Sequence, residues 1–279
     1  MPRGIDPASP GLSGSDAGGI CWHATDLKLM PTPSTVDVLR RDAWREALPC
    51  FVLLAALAGS ITVLGGLTHW FNIKSIAMFA GAFAVVLRGL PAHAPHARFG
   101  AANRVTLARL ALIALLAAGV GEPLPHATAT AWGAIVVATT AALLDAVDGP
   151  LARNSRMASE FGARFDMETD ALLVLVLCLL VMHFDKAGAW ILAAGLMRYL
   201  FVLAAGLWPW MARPLPASQR RKTVCVALVT ALIVCLGPII ALPWSQTIAA
   251  ASLAMLAWSF AIDTVWLMRH RHSIPESAP

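Results

Sequence analysis

The sequence predicts an all-α protein that crosses a membrane several times. Of its 279 residues, 58% are hydrophobic and 13% are charged, and the mean hydropathy is +0.69. Soluble domains carry roughly 25% charged residues. A spanning helix needs about 20 apolar residues. Eight stretches of about that length follow one another, at 48–69, 73–91, 103–121, 128–151, 161–183, 187–208, 222–241 and 245–267.

The chain before the first apolar stretch is different in character. Residues 1–35 are rich in Gly, Pro and Ser and lack apolar periodicity, which predicts a disordered cytoplasmic tail. Residues 37–46 predict a short amphipathic helix on the membrane surface, with Val38, Leu39 and Trp44 available to lipid. Because no basic segment followed by an apolar core opens the chain, we expect no cleaved signal peptide.

The stretch at 73–91 decides whether the number of membrane crossings is even or odd. Lys74 and Arg88 leave a short uncharged centre, so both must extend to opposite interfaces if this helix spans. If it does not span, the N-terminus lies on the outer side. With eight spans, both termini lie in the cytoplasm, together with the basic segments 40–45, 88–109, 153–164, 213–222 and 269–271.

The distribution of charge also bears on partners and metals. The formal charge of +5 is explained by the positive-inside pattern, so the partner we expect is the lipid bilayer and not nucleic acid. The five cysteines are scattered without a CxxC spacing. They predict neither a disulfide framework nor a zinc site.

Four aspartates lie at the adjoining ends of the fourth and fifth apolar stretches, in DAVDGPLARNSRMASEFGARFDMETD. Asp145 and Asp148 are three residues apart and share a helical face, and Asp166 and Asp170 are four apart and share another. The short connection makes the two helices antiparallel neighbours, so their acidic faces can meet in one site at the cytoplasmic boundary.

Such a cluster requires cations, because like charges and burial both disfavour ionised carboxylates. Oxygen ligands without imidazole or thiolate favour Mg²⁺ or Mn²⁺, and four carboxylates have the capacity for two ions that clamp a diphosphate. Gly149 and Gly162 permit close approach of a ligand or a neighbouring helix, and Arg153 has the reach to pair with phosphate. Ordinary helix packing and a positive-inside arginine are the alternatives.

The pattern DxxDGxxAR, eight residues, then GxxxDxxxD resembles the signature of the CDP-alcohol phosphatidyltransferase family. All of its specified positions are present: Asp145, Asp148, Gly149, Ala152, Arg153, Gly162, Asp166 and Asp170. A weaker resemblance lies in AANRVTLARL, where Asn103 and Thr106 match the start of the family's first core helix and Arg109 follows. The resemblance implies a six-helix core preceded by two additional transmembrane helices.

The resemblance also implies roles for these residues. The metal ligands would be Asp145, Asp148, Asp166 and Asp170, with Asp170 as the general base that takes the proton of an acceptor hydroxyl. Asn103, Thr106, Asp148, Gly149, Ala152, Arg153 and Gly162 would hold the CDP group. The implied reaction transfers a phosphatidyl group from a CDP-alcohol, which we expect to be CDP-diacylglycerol, and releases CMP.

The acceptor alcohol stays open at this point. Ala171 follows the last aspartate, where phosphatidylglycerophosphate synthases commonly carry Lys and inositol-type members carry Arg, so neither subfamily is supported. Arg164 and Arg198 are candidate acceptor-binding residues, and their positive charges favour a phosphorylated acceptor. For Arg164, a loop arginine that follows the positive-inside pattern is an equally good interpretation.

The expected organisation follows from these observations. We predict a tail at 1–35, an amphipathic segment with two extra transmembrane helices at 36–92, a catalytic membrane domain at 93–268 and a cytoplasmic tail at 269–279. We expect a homodimer in a bacterial inner membrane with its site facing the cytoplasm. The alternatives are a cation transporter that uses the intramembrane aspartates and a catalytically silent relative.

Overall fold

A computed structural model describes residues 33–93, 98–155, 159–213, 215–216 and 218–270. For residues 33–35 and 146–155 it describes the backbone and not the side chains. Most of the predicted tails, at 1–32 and 271–279, lie outside the described residues. The described part is all-helical and contains no strand. Its α-helices are α1 Pro33–Gly65, α2 His69–Gly89, α3 Ala101–Ala118, α4 Ala127–Ser155, α5 Glu160–His183, α6 Leu192–Leu207, α7 Gln219–Leu236 and α8 Trp244–Arg269.

The helices form because lipid cannot bond to backbone amides, so a spanning segment must satisfy them internally. Six helical segments are long and apolar enough to cross a membrane, at Val36–Gly65, His69–His93, Ala101–Ala118, Ala127–Asp145, Ala189–Leu207 and Trp244–Arg269. α5 and α7 have comparable length but begin with charged residues. The chain is an integral membrane protein, and the segment at 73–91 lies in a helix that meets the length and composition for crossing.

α1 is longer than a bilayer requires. Its 33 residues measure about 50 Å at a rise of about 1.5 Å each, against a hydrocarbon core of about 30 Å. The amphipathic segment predicted at 37–46 is the first part of this same continuous helix. Leu39 and Ala43 are buried against the bundle, while Trp44 is half exposed.

α3 is the central helix. Two thirds of its residues are buried, compared with less than a third in each of the other candidate spans. One face of α3, with Leu107 and Leu110, packs against α1, α2 and the start of α5. The opposite face, with Ile113 and Leu116, belongs to a second apolar cluster formed with α4 to α8. The two helices before the core and the core itself therefore share α3.

Candidate metal and phosphotransfer site

Two helices bring three of the four predicted aspartates together. Asp145 lies in the second half of α4, Asp166 and Asp170 lie in the first half of α5, and both helices pack against α3, so the three carboxylates meet at one end of the bundle. One carboxylate oxygen from each residue lies within 4.8 Å of the others. The side chains are about one third exposed, at 37%, 40% and 34%. The cluster is thus open on one side.

Arg109 of α3 occupies the closed side of the cluster. Its side chain is 0% exposed. Nη1 lies 2.8 Å from Oδ1 of Asp145 and 2.7 Å from Oδ1 of Asp166, and Nη2 donates to Oδ1 of Asp170. Three negative charges and one positive charge leave a local excess of two negative charges, which one divalent cation would neutralise.

The residues present fit a hard divalent cation. The contacts with Arg109 use Oδ1 of each aspartate, and the partial exposure of the side chains leaves further carboxylate lone pairs for a ligand. The described set holds oxygen donors without imidazole or thiolate, which is the ligand chemistry of Mg²⁺ and Mn²⁺. The sequence pattern identified Arg109 after Asn103 and Thr106 but assigned it no role. The structure places its guanidinium among the aspartates.

Several signature residues have a described backbone but no described side chain. Asp148, Gly149, Ala152 and Arg153 are helical residues of α4, and the contacts of their side chains lie outside the described part of the chain. α4 continues as one helix from Ala127 to Ser155. The unwound segments expected of a transporter site are therefore not found in the described backbone around Asp145, nor in α5 around Asp166 and Asp170.

Gly162 lies where α5 packs closely against Asn103 of α3. A Cβ atom at this position would lie 2.9 Å from Oδ1 of Asn103 and 3.3 Å from Oγ of Ser159, nearer than side chains normally pack. Asn103 is buried and its Nδ2 donates to the carbonyl oxygen of Phe99 at 2.6 Å. Thr106 is also buried and donates to the carbonyl oxygen of Ala102. Their predicted contact with the CDP group remains a prediction.

A cavity of about 480 Å³ adjoins Asp170. Most of its lining is apolar, and the charged residues that line it are Asp170, Arg198, Arg221 and Asp263. Asp263 pairs with Arg220, which also donates to the side chain and carbonyl of Ser259. From the sequence, Arg221 is a candidate for a cationic acceptor pocket, but cytoplasmic anchoring is the favoured interpretation, and Asp263 has no assigned role, because charged residues at helix ends usually reflect topology.

The two candidate acceptor-binding arginines lie in different environments. Arg198 lines the cavity and donates through Nη2 to Glu168, while its buried Nε has no hydrogen-bond partner among the described residues. Arg164 is 74% exposed and lies 3.6 Å from Glu160, one helical turn away. Within the described residues, Arg164 does not line the cavity.

The aspartate cluster is suited to a divalent cation, and it lies in an integral membrane protein beside a mostly apolar cavity. The family model for CDP-alcohol phosphatidyltransferase matches residues 99–262, from just before α3 into α8. The chain belongs to this family, and it is a transferase of phospholipid biosynthesis that moves a phosphatidyl group from a CDP-alcohol. Neither a curated protein nor a solved structure matches the chain.

Proposed function

We propose that the protein transfers the phosphatidyl group of CDP-diacylglycerol to a hydroxyl acceptor that carries a phosphate. The observation that carries this proposal is the cavity beside Asp170, because it joins the aspartate cluster to the cationic side chains of Arg198 and Arg221. The buried Nε of Arg198 lacks a partner in the described structure, and an anionic oxygen of the acceptor would satisfy it.

The proposed chemistry places Asp170 as the general base. Its carboxylate takes the proton of the acceptor hydroxyl, whose oxygen attacks the phosphorus next to the lipid alcohol. The bond from that phosphorus to CMP breaks, and CMP leaves with the electron pair. Two Mg²⁺ or Mn²⁺ ions, held by Asp145, Asp148, Asp166 and Asp170, would supply neutralisation of the diphosphate charge.

Arg109 has a separate task in this scheme. Its buried guanidinium binds one oxygen of each of the three described aspartates and so fixes the carboxylates at one orientation. Gly162 keeps α5 close to Asn103 of α3 at the cytoplasmic end. We place the CDP group along the signature residues Gly149, Ala152 and Arg153, beside this close contact of α3 and α5.

The proposed orientation rests on the basic residues at the same end of the bundle. Arg40, Arg41 and Arg45 are exposed on the first turns of α1, and Oδ2 of Asp42 between them accepts the backbone N–H of Phe99 at 2.8 Å. This bond places the basic end of α1 beside the start of α3, so the positive-inside pattern favours a cytoplasmic site. A homodimer in a bacterial inner membrane is part of the same proposal.

The first experiment measures CMP release from CDP-diacylglycerol by the purified protein with Mg²⁺ or Mn²⁺ and a panel of acceptors. We expect Asp170→Asn to lower kcat by about 10²- to 10⁴-fold, the range of general base catalysis. Asp185→Asn is a matched control, since Asp185 is exposed in the α5–α6 connection and Asn tolerates its φ of 54°. Absence of metal-dependent CMP release with every acceptor contradicts the proposal.

A second experiment tests the acceptor class. Arg198→Gln should raise the KM for a phosphorylated acceptor by about tenfold or more, as expected for a lost charged hydrogen bond of about 1.5–3 kcal/mol. The KM for CDP-diacylglycerol should stay within about twofold. Arg88→Gln, at an exposed arginine of α2, is the control. Equal use of unphosphorylated alcohols by the wild type would exclude the phosphorylated class.

A further inference from the structure

A buried histidine connects the helices that precede the family domain to the helix that carries two of the aspartates. His93 ends the 3₁₀ turn that follows α2, before the matched residues 99–262, and is 0% exposed. Its Nδ1 lies 2.7 Å from Oγ of Ser159, and its Nε2 lies 3.0 Å from the carbonyl oxygen of Arg98. The ring also contacts Phe161 edge-on, with centroids 5.5 Å apart.

The direction of these hydrogen bonds follows from the partners. A carbonyl oxygen can only accept, so Nε2 of His93 carries a proton and donates to Arg98. In the neutral ring, Nδ1 is then an acceptor and receives the hydroxyl proton of Ser159. The oxygen of Ser159 in turn accepts the backbone N–H of Gly162 at 3.0 Å.

This chain of bonds ends at the first turn of α5. Ser159 is the N-cap of α5, and such a cap satisfies one of the amides that a helix start leaves unpaired. His93 orients the hydroxyl that makes the cap. Asp166 follows Gly162 by one helical turn and Asp170 by two, so a shift or tilt of the first turn moves both carboxylates relative to Asp145 of α4.

We infer that His93 is a positioning residue for phosphatidyl transfer: it fixes the start of α5 through Ser159 and thereby the place of Asp166 and Asp170. The inference rests on the proposed function for its effect on rate. A displacement of about 1 Å in a reacting group can lower a rate by about 10²-fold, while removal of a residue that orients metal ligands costs about 10- to 100-fold.

Three substitutions distinguish the effect of the hydrogen bond to Ser159 from that of the hydrogen bond to the carbonyl of Arg98. In His93→Asn, the amide oxygen can accept from Ser159 near the former Nδ1. In His93→Gln, the longer amide can donate to Arg98 but does not reach Ser159 in the same way. His93→Phe keeps the ring and loses both bonds. We expect kcat to fall by about 10- to 100-fold for Phe and Gln and to recover largely for Asn, with the KM for CDP-diacylglycerol within about twofold.

A matched control exists at the other end of α5. His183 is a partly buried histidine at the last residue of α5, more than three helical turns beyond Asp170, and its Nε2 lies 3.1 Å from the carbonyl oxygen of Glu122. His183→Phe should leave kcat within about twofold. Combining His93→Phe with Ser159→Ala should lower kcat no further than the larger single effect, because both remove the same bond. Equal kcat losses for Asn, Gln and Phe, or additive losses in the double variant, overturn the inference.

A second readout does not depend on turnover. Hydrogen–deuterium exchange of residues 160–166 should be about tenfold faster in His93→Phe than in the wild type and unchanged in His183→Phe, because the first turn of α5 opens more readily. If the wild type releases no CMP, the proposed function fails, and exchange alone decides whether His93 orders α5. Unchanged exchange at 160–166, or faster exchange with an unchanged kcat, overturns the inference.

Discussion

Arg109 is the residue through which α3 contributes to the aspartate site. Its guanidinium has no exposure to water and binds one oxygen each of Asp145, Asp166 and Asp170. A buried charge is stable only when it is paired, and three crowded carboxylates are stable only near a cation. The arginine and the acids therefore depend on each other in the folded protein.

The residue-scale prediction concerns this mutual dependence. Arg109→Met should destabilise the fold by about 3–5 kcal/mol when divalent ions are chelated, since it leaves three carboxylates without their common cation. Added Mn²⁺ should restore part of the loss, because it supplies positive charge at the same place. Arg109→Lys should be less damaging, as it retains the charge but not the forked donors.

Thermal unfolding of the purified protein with EDTA and with Mn²⁺ measures this effect. Arg88→Met is the control, because Arg88 is exposed on α2 and forms none of the ion pairs between Arg109 and the described aspartates. A loss of stability in Arg109→Met that is equal with EDTA and with Mn²⁺ would contradict the account.

At the scale of elements, α3 and α5 lie in close contact at Gly162. Gly162 permits this contact, because any side chain would meet Oδ1 of Asn103 at 2.9 Å. The bond from Asn103 to the carbonyl of Phe99 holds that amide in place, so it cannot easily rotate away. The signature glycine of α5 thus has a packing reason that is independent of the CDP group.

The element-scale prediction is that Gly162→Ala separates α3 from α5. It should cost about 1–3 kcal/mol of stability, the usual range for an overpacked site, and should lower kcat because Asp166 and Asp170 move with α5. Gly81→Ala is the matched control, since a Cβ at Gly81 of α2 meets nothing within 4 Å. Denaturation curves and CMP release on both variants decide the point. A stable, fully active Gly162→Ala protein would refute it.

At the scale of the whole molecule, the two preceding helices are attached to the core at both ends. Near the aspartates, the attachments are His93 to Ser159 and Asp42 to Phe99. At the opposite end, the carboxylate of Glu122 in the α3–α4 connection pairs with Lys74 of α2 and accepts the hydroxyl of Thr68 at 2.6 Å. Nε2 of His183, at the end of α5, approaches the carbonyl of Glu122 at 3.1 Å.

The opposite-end attachment predicts a dependence of stability on pH. Burial disfavours the charged form of Glu122, but the bonds from Lys74 and Thr68 outweigh it and hold the pKa of this carboxyl below its ordinary value. A lowered pKa in the folded state means that the stabilisation is complete above the unfolded pKa of about 4.3. It is lost as the pH falls through the folded-state pKa.

The corresponding experiment compares the melting temperatures of the wild type and Glu122→Gln across pH. The wild type should melt higher by a constant amount above about pH 5, and the difference should shrink as the pH falls below about 4. Other carboxyl groups titrate in both proteins, so their effects cancel in the difference. A difference that stays constant down to the lowest pH would show that ionised Glu122 does not contribute.

Local periodicity in the sequence was sufficient for much of the architecture. The apolar stretches predicted an all-helical membrane protein, which is confirmed, and the signature predicted the family, which is also confirmed. The spacing of Asp166 and Asp170 placed them on one helical face because the helix repeat is fixed by backbone geometry. The predicted convergence of α4 and α5 agrees with the cluster of Asp145, Asp166 and Asp170.

The sequence by itself determined which residues form helices and which of the acids share a face. Tertiary structure decided that Arg109 enters the aspartate cluster, that His93 reaches Ser159 and that a cavity joins Asp170 to Arg198. Helical periodicity determines the direction of a side chain around its own axis, but a contact across 57 to 66 residues depends on how whole helices pack. Those contacts position the carboxylates on which the proposed chemistry depends.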